Sequence, residues 1–345
     1  MTSAAAYAIA LAAALVAGWL VPALGMRLLL PSLEASGQDR ANYRGRRVVL
    51  GLGAVWAIWG TALLATGALV DAVGMPVLAK SVSYGSVEMA LFDGPLTVPL
   101  YAVPIILTLA ALLFGMLDDV FGTHADKGFR GHVRALLGGR LTTGGLKLLG
   151  IGVVAAVYGW HAADRAATAY GEVSAGVLVL WWVAATLVIA LSANFVNLTD
   201  LRPGRALKTY GVLAAGAGVL FALEAVGRYR DAIAGTGGQW GAADTTVTIA
   251  CMLVVLLGPV AAVWRYDLGE RGMLGDAGSN AMGAIVGYLL AGSLSLPWLT
   301  ATAVVLLAAN ALSERVSFSS LIEAAPPLRF LDHLGRLPDE GSGGG

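Results

Sequence analysis

Apolar residues in this chain come in long, nearly uninterrupted blocks. Each block holds roughly 18 to 24 residues, about the length that a helix needs to cross the ~30 Å hydrocarbon core of a bilayer. The blocks cover residues 3–24, 48–70, 96–117, 142–160, 174–196, 206–226, 246–264, 277–294 and 297–313. A transmembrane β-barrel would instead show alternating segments of ~10 residues. The pattern therefore predicts an all-α, polytopic membrane bundle of about nine transmembrane helices.

Composition agrees with a membrane protein and excludes several other classes. Of the 345 residues, 57% are hydrophobic and 13% are charged, against about 25% charged residues in soluble domains. The formal net charge is zero, which gives no electrostatic reason to expect nucleic acid as a partner. Cys251 is the only cysteine, so an intrachain disulfide and a cysteine-based metal site are both excluded.

The chain divides into one large unit and a short tail. Residues 1–313 hold all the apolar blocks and are predicted to form the transmembrane domain. Residues 314–340 are predicted to form an amphipathic tail lying on the inner membrane surface. Residues 341–345 read Gly-Ser-Gly-Gly-Gly, which is typical of an artificial linker, and are left out of the fold.

The basic residues predict the orientation of the bundle. With the N-terminus outside, 18 of the 22 Lys and Arg residues fall in inside segments and 4 fall outside. Positive residues concentrate on the cytoplasmic side of membrane proteins. We therefore expect the N-terminus outside, the C-terminus inside, and a basic cytoplasmic face in the cell membrane.

Acidic residues mark the predicted cytoplasmic ends of three blocks. Asp118 and Asp119 end the third block, Asp200 follows the fifth, and Asp276 introduces the eighth. Each motif alone also fits a solvated turn or a helix cap. Carboxylates beside hydrocarbon are costly, however, so several on one face indicate a functional site. Their convergence favours a divalent cation and a phosphate-bearing substrate.

Polar residues accompany these acids. Asn194 and Asn197 are three residues apart on one helical face, and Asp200 is three further on. Gly278, Ser279 and Asn280 follow Asp276 at a helix N-terminus, where backbone N–H groups can receive an anion. Arg46 in the first inside loop either binds phosphate or only sets the topology.

The combination of motifs resembles a known family. Leu117-Asp118-Asp119, Asn194-x-x-Asn197-Leu-Thr-Asp200 and Gly275-Asp276-Ala-Gly278-Ser279 look like the three signature loops of the polyprenyl-phosphate N-acetylhexosamine-1-phosphate transferases. This superfamily is of the glycosyltransferase family 4 type and includes phospho-N-acetylmuramoyl-pentapeptide transferase. The resemblance covers about residues 40–313.

The resemblance implies an enzyme. Family members move a sugar-1-phosphate from a nucleotide sugar, such as a UDP-N-acetylhexosamine, to a polyprenyl phosphate, the first membrane step of a cell-envelope glycan pathway. The lipid phosphate attacks the β-phosphorus and a nucleoside monophosphate leaves, with Mg²⁺, or Mn²⁺ in its place, on the diphosphate. Relatives are often homodimers.

The resemblance and the motifs assign the following roles. The catalytic residues are Asp118, Asp119 and Asp200. The metal ligands are Asp276, Asp118 and Asn197. The substrate-binding residues are Asn194, Lys147, Gly278, Ser279, Asn280, Arg46, Arg202 and Arg205. An aspartate acts as general base or as covalent nucleophile, and the sequence leaves both open.

The sequence departs from the family pattern in two places. The stretch after Asp200 carries Pro203 where the family has a second acid, and adds Arg202 and Arg205. The family's histidine-rich motif in the last inside loop is missing. A diverged transferase is therefore expected, with two alternatives: a non-catalytic relative that binds a lipid-linked sugar or a protein, and a transporter, which the lack of an internal repeat disfavours.

Overall fold

The computed structural model describes residues 3–72, 86–92, 94–99, 102–122, 128–170, 173–234 and 241–337, so the predicted linker lies outside it. Long helices make up most of these residues. The first two are α1 (Ser3–Leu15) and α2 (Val21–Ala35), joined by a π-helical turn (Val16–Leu20). The others are α3 (Ala54–Ala72), α4 (Ala102–Phe121), α5 (Gly128–Leu137), α6 (Thr143–Tyr170), α7 (Ala175–Thr199), α8 (Arg205–Ala234), α9 (Ala242–Leu268), α10 (Gly275–Ser293), α11 (Leu296–Ser313), α12 (Phe318–Ala324) and α13 (Pro326–His333).

Seven helices in the described part of the chain are long and apolar enough to cross a membrane. The first is Ala4–Ala35, which joins α1, the π-helical turn and α2 into one continuous helix. The others are Pro104–Phe121, Thr143–Asp164, Ala175–Thr199, Arg205–Gly227, Ala242–Leu268 and Leu296–Ser313. The prediction of an all-α, multi-pass membrane bundle is therefore confirmed. The count of nine spans and the direction of insertion stay predictions.

Short strands replace the expected starts of two apolar blocks. Residues 48–50 belong to β2 (Arg47–Leu50), which pairs antiparallel with β1 (Asp39–Ala41) and parallel with β5 (Gly272–Met273). Gly51 follows with φ +135°, a backbone conformation that a residue with a side chain adopts only under strain. Helix α3 begins after this residue, at Ala54. Farther along, the chain forms a second antiparallel pair, β3 (Ser86–Phe92) with β4 (Gly94–Pro99). The predicted starts at residues 48 and 96 are wrong for this reason.

Helix α10 forms the centre of the bundle. Fifteen of its 19 residues are buried, and it packs against α7, α4 and α8. Gly283 and Gly287, four residues apart, face the backbone of α7; a Cβ atom on Gly287 would lie 2.5 Å from the Ile189 Cα atom. Small residues with this spacing let two membrane helices approach closely. The contact fixes α10, and therefore Asp276 at its start, relative to α7.

Filling the α10–α7 contact should destabilise the protein. We expect Gly287→Leu to lower the free energy of unfolding by about 1–3 kcal/mol, because the side chain overpacks a backbone contact. Gly216→Leu on α8 is the matched control, since a Cβ atom there meets no heavy atom within 4 Å. Thermal unfolding in detergent measures the difference. Equal unfolding temperatures for the two variants would contradict the packing described for α10.

Candidate active site

The N-terminus of α10 is where the acidic motifs meet. Asp119, at the last turn of α4, accepts the backbone N–H groups of Asp276 and Ala277 through its two carboxylate oxygens, at 2.9 Å each. The first N–H groups of a helix have no partner within the helix and carry its positive dipole end. Asp119 satisfies them from another helix. Gly115, one turn earlier on α4, makes this approach possible, since its Cβ would lie 2.6 Å from the Ala277 nitrogen.

Asp200 joins the same helix start from α7. It is the C-cap residue of α7, and its carboxylate accepts the backbone N–H of Gly275. Burial, together with the charges of Asp267, Asp276 and Asp119, raises the pKa of Asp200 well above its usual range. The acidic ends of α4 and α7 therefore both hold the first turn of α10.

Lys147 lies between the two remaining carboxylates. Its ammonium nitrogen is 3.0 Å from the Asp118 carboxylate and forms an even closer ion pair with Asp276. The Lys147 side chain is buried, and Asp118 also accepts a hydrogen bond from Thr143. One cation thus neutralises two acids that come from different helices. The predicted convergence of the three motifs is present in the structure.

The amides and small residues of the motifs contact other parts of the protein, and Gly278, Ser279 and Asn280 among them are buried. The Ser279 hydroxyl, fully buried, contacts the Asn197 amide oxygen at 2.9 Å, and Asn280 donates to the Asp276 carbonyl at 2.7 Å. Asn194 donates to Asn310 of α11 at 2.6 Å. Gly278 packs against Gly53 at the start of α3. Their predicted contacts with substrate or metal stay predictions.

The predicted phosphate-binding arginines are held by acids outside the Lys147 centre. Arg46 lies 3.5 Å from Glu270, and Arg202 pairs with Glu323. Arg205 is buried and binds Asp332 of α13 through two nitrogens, at 2.8 and 2.9 Å. These arginines thus pair with other acids, and their role toward substrate stays a prediction.

Several residues in the neighbouring loops belong to no motif, so the sequence did not predict their contacts. Arg40 in β1 donates to the Asp119 backbone carbonyl at 2.8 Å. Asp267 at the end of α9 accepts the Gly204 N–H at 2.6 Å. A small cavity opens between these loops, lined in part by Asn42, Tyr43, Asp200, Arg202, Asp267 and Glu270. The only signal in the sequence is that Asp267 and Glu270 shortly precede the Gly275 motif.

The chemistry of the Lys147 centre fits a magnesium ion. Asp118 and Asp276 direct hard carboxylate oxygens at the same Lys147 ammonium group, and Mg²⁺ prefers oxygen ligands of this kind. Asp119 and Asp200 are already engaged by backbone N–H groups. The residues that could hold such an ion are therefore Asp118 and Asp276.

A second acidic group fits a metal less well. Glu323, Asp332 and His333 have ligand atoms within 4.8 Å of one another. Three arginines neutralise its two acids, since Arg205 and Arg336 bind Asp332 and Arg202 binds Glu323. At the other centre the single Lys147 is shared by Asp118 and Asp276. Burial raises the pKa of Asp332, but its hydrogen bonds and ion pairs with Arg205 and the neighbouring arginines outweigh burial and hold it below its usual range.

Comparison with known proteins adds no assignment. No protein-family model matches the chain, and no curated protein matches it.

Removing the shared cation should destabilise the centre. We expect Lys147→Met to lower the free energy of unfolding by about 2–3 kcal/mol, because it leaves two partly buried acids without their shared cation. Added Mg²⁺ should raise the unfolding temperature of this variant more than that of the wild type. Arg271→Met, which breaks an exposed pair with Glu34, is the control and should change stability by about 1 kcal/mol or less. A variant as stable as the wild type, or one indifferent to Mg²⁺, would contradict the arrangement.

The raised pKa of Asp200 predicts a pH-dependent gain in stability when its charge is removed. A carboxyl group whose pKa is raised by folding stabilises the fold while protonated, and this contribution is lost as pH rises through the folded-state pKa. Asp200→Asn keeps an acceptor for Gly275 without a charge. It should raise the unfolding temperature more at pH 8 than at pH 5. The control is Asp332→Asn, at a carboxyl group whose pKa is lowered by folding, and it should lower the unfolding temperature at both pH values. A loss of stability at pH 8 in Asp200→Asn would refute this expectation.

Proposed function

We propose that the protein is a Mg²⁺-dependent transferase that moves a sugar-1-phosphate from a nucleotide sugar to a polyprenyl phosphate. The observation that carries the proposal is the placement of Lys147 between Asp118 and Asp276 at the ends of apolar helices. A lipid phosphate and a water-soluble diphosphate can meet only at such an end, where the bilayer gives way to water. The proposed donor is a UDP-N-acetylhexosamine.

The residues of the centre suit phosphoryl transfer. This chemistry depends mostly on positioning and on neutralising the charge of the phosphate oxygens. A magnesium ion bound by Asp118 and Asp276 would supply most of that neutralisation. Lys147 adds a buried positive charge beside the same oxygens, and Asp119 and Asp200 fix the position of Asp276 through the backbone of α10.

The location of the charges favours this function over transport. A carrier or channel places ionisable groups near the middle of the membrane. Here Asp118 lies in the last turn of α4, Asp276 in the first turn of α10, and Lys147 in the second turn of α6. We propose that this end faces the cytoplasm, where the basic loops were predicted.

A second candidate is a non-catalytic relative that binds a lipid-linked sugar. The observation that favours it is that Glu323 and Asp332 already occupy Arg202 and Arg205, so these arginines are not open to a phosphate. The two candidates differ in turnover, and a direct assay separates them.

The assay uses purified protein with polyprenyl phosphate, Mg²⁺ and a panel of nucleotide sugars, and it measures release of the nucleoside monophosphate. We expect turnover with a UDP-N-acetylhexosamine. Asp276→Asn should reduce kcat by roughly two orders of magnitude or more, because charge stabilisation is the main catalytic effect. Glu34→Gln, an exposed acid paired with Arg271, is the matched control and should retain full activity.

Two results would decide against the proposal. Folded protein that releases no monophosphate from any donor would favour the binding protein. Turnover that survives Asp276→Asn unchanged would remove the assigned centre from the reaction.

A further inference from the structure

Helix α13 buries its acidic residue and exposes its large apolar side chains, which is the reverse of a normal surface helix. Its acidic residue Asp332 is 4% exposed, whereas Phe330 is 68% and Leu331 is 52% exposed. Leu328 before them and Leu334 after them are also about half exposed. An amphipathic helix on a water-soluble surface turns its apolar stripe inward and its charges outward. The inverted arrangement needs an apolar environment on the outer side of α13.

Polar contacts fix this orientation. Asp332 binds Arg205 through both carboxylate oxygens and Arg336 at 2.9 Å. Lys208 donates to the backbone carbonyls of Leu331 and Asp332, both at 2.8 Å, where a cation suits a helix C-terminus. Rotating α13 to bury its leucines would pull Asp332 away from its arginines. The helix therefore cannot turn its apolar side inward without breaking these bonds.

A second set of contacts continues past the end of the helix. Arg336 donates to the Tyr43 hydroxyl at 2.7 Å, and its guanidinium lies 5.0 Å from the centre of the Tyr43 ring. Arg44 donates to the Leu337 carbonyl at 2.8 Å. The segment is thus attached along its polar side to the loop between β1 and β2 and to the start of α8.

The chain itself places this segment at the membrane surface. Helix α11, long and apolar enough to span, ends at Ser313, and α12 begins five residues later at Phe318. Exposed Arg315 and Arg329 accompany the exposed apolar residues, a composition that suits anionic headgroups above an acyl boundary.

Another segment at the same end has the same character. Helix α5 lies between Asp118 on α4 and Lys147 on α6, and it exposes Leu136 and Leu137 beside Arg130 and Arg134. Two basic segments therefore expose leucines at the Lys147 end of the bundle.

We infer that α13 is a membrane-surface helix whose occupant is the lipid leaflet at the Lys147 end. Leu328, Leu331 and Leu334 enter the boundary between headgroups and acyl chains, and the Asp332 ion pairs hold the polar side against α8. The leaflet thereby holds α13 in the position in which Asp332 pairs with Arg205. This inference depends on the membrane spans and not on the proposed enzymatic activity.

Fluorescence quenching in vesicles tests the inference with the full-length chain. Cys251 is replaced by Ala, and a single cysteine at Leu331 carries an environment-sensitive fluorophore. The protein is reconstituted in phosphatidylcholine and phosphatidylglycerol vesicles, and quenching by lipids with a nitroxide near the headgroup is compared with quenching by aqueous iodide. Gln38→Cys, in the exposed turn between α2 and β1, is the matched control.

We expect several-fold stronger quenching by the nitroxide lipid at position 331 than at position 38, and the reverse order with iodide. A second reporter at Leu334 guards against a local effect of the Leu331 substitution and should behave in the same way. Iodide quenching at 331 and 334 equal to that at 38 would overturn the inference, because the face would then be in water. Protection from both quenchers would also overturn it, because a protein would then cover the face.

Discussion

Two carboxylates next to hydrocarbon repel each other, and the ion pairs of Lys147 with Asp118 and Asp276 relieve that repulsion. The other features of the centre depend on this arrangement. Asp118 reaches it only because Gly115 lets α4 approach the start of α10. Asp276 reaches it because Asp119 and Asp200 bind the N–H groups around it. The arrangement supplies the charge and the oxygen ligands that the proposed metal ion and phosphates would need.

Close packing around α10 supports the charged centre. Gly283 and Gly287 allow α10 to lie against the backbone of α7, which carries Asp200 at its end. Close contact between membrane helices depends on small residues, because lipid gives no hydrophobic gain for bringing apolar helices together. The position of the acids is therefore set within the membrane-embedded part of the bundle rather than by the loops alone.

The sequence predicted the parts of this protein that depend on local patterns. Long apolar blocks predicted the helices, and acids at block ends predicted that Asp118, Asp200 and Asp276 would meet. Lys147 was assigned to this site only through the family resemblance. It did not predict that Asp119 and Asp200 bind backbone N–H groups, because such contacts exist only once three helices are assembled. The pairing of Arg205 with Asp332 spans 127 residues and leaves no periodic signal. The strands β1, β2 and β5 hold two to four residues each, too few for a recognisable alternation.

The most direct measurement is binding of Mn²⁺ to the purified protein, followed by electron paramagnetic resonance. The account predicts one site that is lost in Asp118→Asn and in Asp276→Asn and retained in Glu323→Gln, since the Lys147 centre and not the Glu323 cluster holds the ion. A site that survives both aspartate substitutions, or that disappears with Glu323→Gln, would contradict the account.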